Sequence, residues 1–188
     1  CISEPYIVSS YKSHNEMNSN NINDIYIDEE KRIWIANYPE GITIIDNRYK
    51  SYNWIKHSIG NRQSLVNDQV HSVIEDSDGD LWFGTSNGIS LYQSKTGQWH
   101  SFLSSFDHQL KNKNHIFITL CEVSPGIIWA GGYTSGVYKI NKRTLSVEYF
   151  SPYLLNPDNI RPDKYIRDIV KDSKGYIWSG GFYNLKCF

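Results

Sequence analysis

Four tryptophans, Trp34, Trp82, Trp129 and Trp178, follow one another at intervals of 48, 47 and 49 residues, each inside the same local grammar. The clearest copy is Asp76-Ser77-Asp78-Gly79-Asp80-Leu81-Trp82-Phe83-Gly84-Thr85-Ser86-Asn87-Gly88-Ile89-Ser90-Leu91-Tyr92. It reads as strand end, tight turn, strand, glycine-marked turn and strand, since Asn87-Gly88 tolerates the positive φ of a hairpin. A strand-rich unit recurring every 40–50 residues or so is the signature of a propeller blade. The repeat has a physical cause: one four-stranded sheet cannot bury both of its faces, whereas neighbours stacked about 10 Å apart bury them for one another.

The phase of the repeat divides the chain. Residues 1–17, with the β-prone Pro5-Tyr6-Ile7-Val8-Ser9-Ser10-Tyr11, are expected to end a preceding blade, and this placement argues against Cys1 as a lipid-anchored terminus. Blades are expected over 18–60, 61–110 and 111–158, with an incomplete one over 159–188. The expected fold class is all-β: a partial β-propeller of four-stranded antiparallel blades, about three complete, with a leading strand and a truncated fourth blade. Apolar runs such as Ile33-Trp34-Ile35 and Leu81-Trp82-Phe83 lack alternation, as strands covered on both faces do. The four tryptophans are therefore assigned to packing between blades. Propellers close with 4–8 blades or so, so further repeats of a longer chain, or a second copy in a homodimer, are expected to complete the ring.

Composition fits a core-forming β-protein, with 39% hydrophobic residues and an aromatic share of 14% that suits pleated, half-buried surfaces. Lys and Arg (19) nearly balance Asp and Glu (20), and no basic block is present to neutralise a run of phosphates, so nucleic acid is not an expected partner. No apolar run approaches the roughly 18–20 residues that span a bilayer, and no membrane contact is expected of this segment. Cys1, Cys121 and Cys187 show no Cys-x-x-Cys spacing, and Cys121 reads as a small core residue.

The stretch from Asn67-Asp68-Gln69-Val70 through Asp76, Gly79, Leu81-Trp82-Phe83-Gly84-Thr85 and Gly88-Ile89 to Tyr92 resembles the two-component regulator propeller repeat. The linker Ser58-Ile59-Gly60-Asn61-Arg62-Gln63-Ser64-Leu65-Val66-Asn67 resembles that family's inter-blade connection. Departures occur where Lys31 replaces the turn glycine, where Ala36-Asn37 replaces Gly-Thr, and where Ser124-Pro125-Gly126 reshapes a turn. The resemblance implies a periplasmic sensor domain of a Bacteroidetes hybrid two-component system. Such a domain responds to an oligosaccharide derived from a glycan and signals to a kinase not contained in this chain.

Chemistry is less legible than architecture. Asp76-x-Asp78-Gly79-Asp80 lacks the glycine at position six and the glutamate at position twelve of an EF-hand, and reads as a turn whose carboxylates bond local amides. The six histidines have no metal-ligand spacing and no serine lies in a Gly-x-Ser-x-Gly elbow, so neither cofactor, metal nor catalytic motif is expected. The candidate ligand-binding residues lie on loops expected at one rim: Tyr38, Glu40, Arg62, Asn67, Asn87, Asn114, His115, Tyr133, Arg161, Asp163, Lys164 and Tyr183. Aromatic faces beside Arg, Asn and Asp suit a saccharide, although polar residues also belong on loops for solvation alone. Two alternatives are a propeller enzyme of the lyase type, with His115 and Asp68 or Glu40 as first suspects, and a plain protein-interaction scaffold.

Overall fold

The computed structural model describes residues 21–46, 51–104, 115–150, 165–182 and 185–188. Every regular element in these segments is a strand. Strands β1 (Ile22–Ile27), β2 (Ile33–Asn37), β3 (Gly41–Asp46) and β4 (Ser51–Ile55) form an antiparallel sheet in sequential order. The same order recurs in β5 (Val70–Glu75), β6 (Leu81–Thr85), β7 (Gly88–Gln93) and β8 (Gln98–Phe102). It recurs again in β9 (Phe117–Ser124), β10 (Ile127–Gly132), β11 (Gly136–Asn141) and β12 (Ser146–Phe150). A three-stranded sheet follows, of β13 (Ile166–Lys171), β14 (Ile177–Gly181) and β15 (Leu185–Cys187). The architecture is the partial β-propeller expected from the tryptophan intervals, with three four-strand blades and a shorter fourth.

The core lies between sheets rather than within any of them. Trp34, Ala36, Ile42 and Ile44 of the first sheet pack on Val70, Val73, Leu81, Phe83 and Trp99 of the second, with Leu65 of the connection between them. Trp82, Ile89, Leu91 and Phe102 then meet Phe117, Leu120, Ile128 and Ile140. Val137, with the partly buried Cys121 and Trp129, meets Ile166, Ile169 and Ile177. A buried Trp removes about 150–250 Å² from water, roughly 4–6 kcal/mol of gross transfer free energy. This is why one Trp per unit dominates each interface.

The residue two places after the tryptophan explains how closely the sheets approach. A Cβ at Gly84 would lie 2.8 Å from the Phe117 carbonyl oxygen of the next sheet, and one at Gly131 would lie 2.5 Å from Ile166. Only hydrogen fits there. At the two ends of the arc apolar groups face solvent: Ile25, Ile27 and Trp54 on the first sheet, and Val170, Tyr176 and Leu185 on the fourth, are all more than half exposed.

At one end of the innermost strands the turns share a single device. Asp28, Asp76 and Asp172 each accept the indole N–H six residues on, from Trp34, Trp82 and Trp178, at 2.8, 2.8 and 3.0 Å. The other carboxylate oxygen accepts a turn amide, from Arg32, Asp80 and Tyr176 respectively. In the third unit Glu122 caps the Gly126 amide instead, and Trp129 packs against Phe150 and Phe188. The turn also needs a left-handed residue, supplied by Gly79, Gly126 and Gly175, and in the first unit by Lys31 at φ 66°.

Lys142, from the β11–β12 turn, reaches into the Asp76 turn of the preceding sheet. Its Nζ lies 2.6, 2.9 and 2.8 Å from Asp76, Asp78 and Asp80. The ammonium thus stands amid the carboxylates of the segment that superficially resembled a calcium loop. Burial alone would depress the Lys142 pKa, but hydrogen bonds to Asp76, Asp80 and Asp78 carry it above the usual lysine value.

Candidate functional site

At the opposite end of the innermost strands the four sheets converge on a pocket of about 500 Å³. Its construction begins with a β-bulge that recurs in every unit. In the β1–β2 ladder Ile22 faces Asn37 and Asp24 faces Ala36, leaving Asn23 as the extra residue. His71, Ile118 and Arg167 are left over in the same way in the β5–β6, β9–β10 and β13–β14 ladders. A bulge bends its strand and re-aims the extra side chain. All four of these residues line the pocket, and each lies eleven positions before its repeat tryptophan.

A second ring comes from the turns after β2, β6 and β10. Tyr38, Ser86 and Tyr133, each four positions after a tryptophan, line the same pocket, with Gln69 and Ile116 filling in at the strand entries. In the fourth unit the corresponding residue is Phe182, whose ring lies 4.9 Å below the Arg167 guanidinium carbon. In the first, third and fourth units the residue after the bulge ties neighbouring inner strands together. Asp24 Oδ2 accepts the Val73 amide of the second sheet at 2.9 Å, and Thr119 Oγ1 accepts the Ile169 amide of the fourth at 3.2 Å.

The polar groups in the pocket are oriented. Asn23 Nδ2 donates to the Val70 carbonyl at 2.8 Å, which fixes the amide, and the same Nδ2 lies 3.4 Å from His71 Nδ1. His71 Nδ1 is therefore an acceptor and Nε2 carries the proton, donated to Ser86 Oγ at 2.8 Å. Burial holds the imidazole below its ordinary pKa of 6.5, which keeps this neutral tautomer in place. The tautomer is the wrong one for nucleophilic catalysis, because a base that activates serine must present a bare Nε2. Instead the Ser86 hydroxyl proton is left to be given to an acceptor in the pocket.

Of the residues expected at the site, Tyr38 and Tyr133 are brought together here. The Tyr38 ring lies 6.0 Å from that of His71, and Tyr133 meets Tyr165 edge-on at 5.2 Å. The others described have different positions. Glu40 pairs with Lys56 at 3.2 Å, Arg62 is exposed on the connection between the first two sheets, and Asn67 accepts the Gln69 amide. Asn87 donates its amide to Thr85 Oγ1, and its neighbour Ser86 lines the pocket in its stead. His115 is 3% exposed, stacked on Phe117 and edge-on to Tyr138, with Nδ1 3.2 Å from Ser135. Asp68, its suggested catalytic companion, accepts the His57 amide at 2.6 Å. Asn114, Arg161, Asp163, Lys164 and Tyr183 lie outside the described residues.

Sequence reasoning passed over Asn23, Gln69, His71, Ser86, Ile116, Ile118 and Arg167. A signal was present, since four of them share one offset from the tryptophans, but strand alternation alone gives no reason to turn that offset toward the axis.

Residues 16–38 and 64–87 match the two-component regulator propeller family. These two segments, a quarter of the chain, are what the family model covers. No curated protein matches the sequence. Among solved structures, the chain is similar to the extracellular domain of the putative hybrid two-component system BT3049 from B. thetaiotaomicron. The identity is 23% and the TM-score 0.73, over 90% of this chain and 22% of that one. The extracellular domain of the putative system BT4673 from the same organism gives 21% identity and a TM-score of 0.69, over 92% of this chain and 21% of that one. The WD40 β-propeller domain of Doa1 is similar at 17% identity and a TM-score of 0.59, covering 88% of this chain and 49% of that domain. These likenesses establish the fold. The chain spans about a fifth of the length of the two B. thetaiotaomicron domains.

Proposed function

We propose that this chain is part of the periplasmic sensor region of a hybrid two-component system, and that the pocket between its four inner strands takes an oligosaccharide released from a glycan. The occupied propeller passes the signal to a kinase carried elsewhere in the system, and the segment itself is non-catalytic. The observation that carries this reading is the pocket, where Tyr38 and Tyr133 offer faces for sugar rings beside donors from Ser86 and Arg167. Concave sites with aromatic walls and a few fixed polar groups are the usual form of small-ligand recognition. The regulator-propeller match of two segments and the likeness to the extracellular domains of two putative hybrid two-component systems support the biological setting. The exposed apolar groups at both ends of the arc support further blades of the parent chain, or a second copy, as the structural partners.

Calorimetric titration of the parent chain with a panel of plant and host oligosaccharides tests the proposal. Binding to at least one, weakened about tenfold or more by Tyr38→Ala or Tyr133→Ala, is the expected result, each tenfold step being about 1.4 kcal/mol. Saccharide binding that neither substitution affects would place the ligand elsewhere, and indifference to the whole panel would favour the protein-interaction alternative.

A further inference from the structure

Resting on the saccharide reading of the pocket, we infer that its ligand is anionic: a carboxylate or sulfate on the sugar is held by Arg167, while the Ser86 hydroxyl donates to a second acceptor. The inference follows from the charge inventory of the site. Among the described residues, none that lines the pocket is Asp or Glu, and Arg167 is their one ionised group once His71 is neutral.

The three carboxylates adjacent in sequence to lining residues are turned to other work: Asp68, next to Gln69, accepts the His57 amide at 2.6 Å. Asp24 accepts the amides of Val73 and Ile25, both at 2.9 Å. Asp168 accepts the Ile169 amide and the Thr119 hydroxyl at 2.9 and 3.1 Å. Among the described residues, no ion pair engages Arg167, whereas Arg32, Lys56 and Lys142 are each held by carboxylates. Arg167 is nonetheless positioned, at a bulge that re-aims it and over the Phe182 ring. A guanidinium held on an aromatic face and left without a counter-ion in a concave site is preorganised for a planar, two-oxygen partner.

The donors around it have the same polarity. The His71 tautomer makes Ser86 an acceptor toward the protein and a donor toward the ligand. A neutral sugar supplies hydroxyls that donate as readily as they accept, and it leaves the arginine charge unanswered. A uronic acid or sulfated sugar answers both.

The experiment uses the parent chain and four probes: a hexuronic-acid oligosaccharide, its carboxyl-reduced form, a sulfated oligosaccharide and its desulfated form. The expected result is that one acidic probe binds about tenfold or more tighter than its neutral counterpart, with a preference that falls as salt is raised. Whichever pair shows it identifies carboxylate or sulfate as the group recognised. Arg167→Gln is expected to erase the preference by weakening the acidic form about tenfold more than the neutral one, Arg167→Lys to retain part of it, and Ser86→Ala to weaken both forms of the pair. Melting curves of the variants establish that they are folded. Equal affinity for acidic and neutral forms, or a preference unchanged by Arg167→Gln, overturns the inference and leaves the saccharide reading standing. Failure of all four probes together with every neutral saccharide overturns that reading, and this inference with it.

Discussion

The two ends of the innermost strands follow opposite rules. At the turn end three of the four units place Asp six residues before Trp with the same pair of hydrogen bonds. At the pocket end the backbone repeats its bulge four times, yet the residue it presents is Asn23, His71, Ile118 or Arg167, no two alike. Within a single chain, then, repetition of side chains marks the positions that hold sheets together. Repetition of backbone with varied side chains marks the positions left to chemistry. The difference is one of environment: in the first two units the indole and its aspartate partner are buried at sheet interfaces whose spacing is fixed, whereas a bulge residue lines a pocket.

This contrast can be broken by substitution. The largest effect is expected at Trp82, fully buried between the second and third sheets: Trp82→Ala should cost about 3–5 kcal/mol in denaturant unfolding. Lys142→Met should follow at about 3 kcal/mol, because it leaves the Asp76 carboxylate buried without its cation. This residue also sets a pH dependence. Its folded-state pKa lies above the ordinary 10.5, so the stability it contributes is complete below pH 10.5 and is lost as pH rises through the raised value. Unfolding measured across alkaline pH should show that decline in the natural chain and a flatter one in Lys142→Met. Gly84→Ala, which drives a methyl against the Phe117 carbonyl, should cost about 1–3 kcal/mol.

Smaller effects sharpen the comparison. Lys31 occupies the left-handed turn position that glycine fills in the other units, so Lys31→Gly should raise stability by about 1 kcal/mol. At the pocket end, His71→Gln should change stability by only about 0.5 kcal/mol while altering ligand affinity. If it destabilised the chain as much as Trp82→Ala, the division between scaffold and recognition would be lost.

The sequence disclosed the scaffold because its signals are local and periodic. The tryptophan intervals, the turn glycines and the Trp-x-Gly spacing at Trp82-Phe83-Gly84 and Trp129-Ala130-Gly131 each report a contact that recurs. Tyr38 and Tyr133 were legible because turns of this kind emerge at the rim. Glu40, Asn67 and His115 looked equivalent but are spent on Lys56, on a local turn and on a packed aromatic cluster. Each of those outcomes is set by contacts within the folded chain that residue type does not encode. The bulge residues were hidden for a related reason: one added residue in a ladder changes where a side chain points without changing the strand's composition.

The pocket draws one wall from each of four sheets, through residues 47 to 49 positions apart. Among the described residues, no single unit contains even half of the lining, so the pocket is a property of the docked sheets and not of any one of them. On the proposed saccharide reading, ligand capture is consequently a report on assembly, because the complete lining exists only once all four sheets have docked.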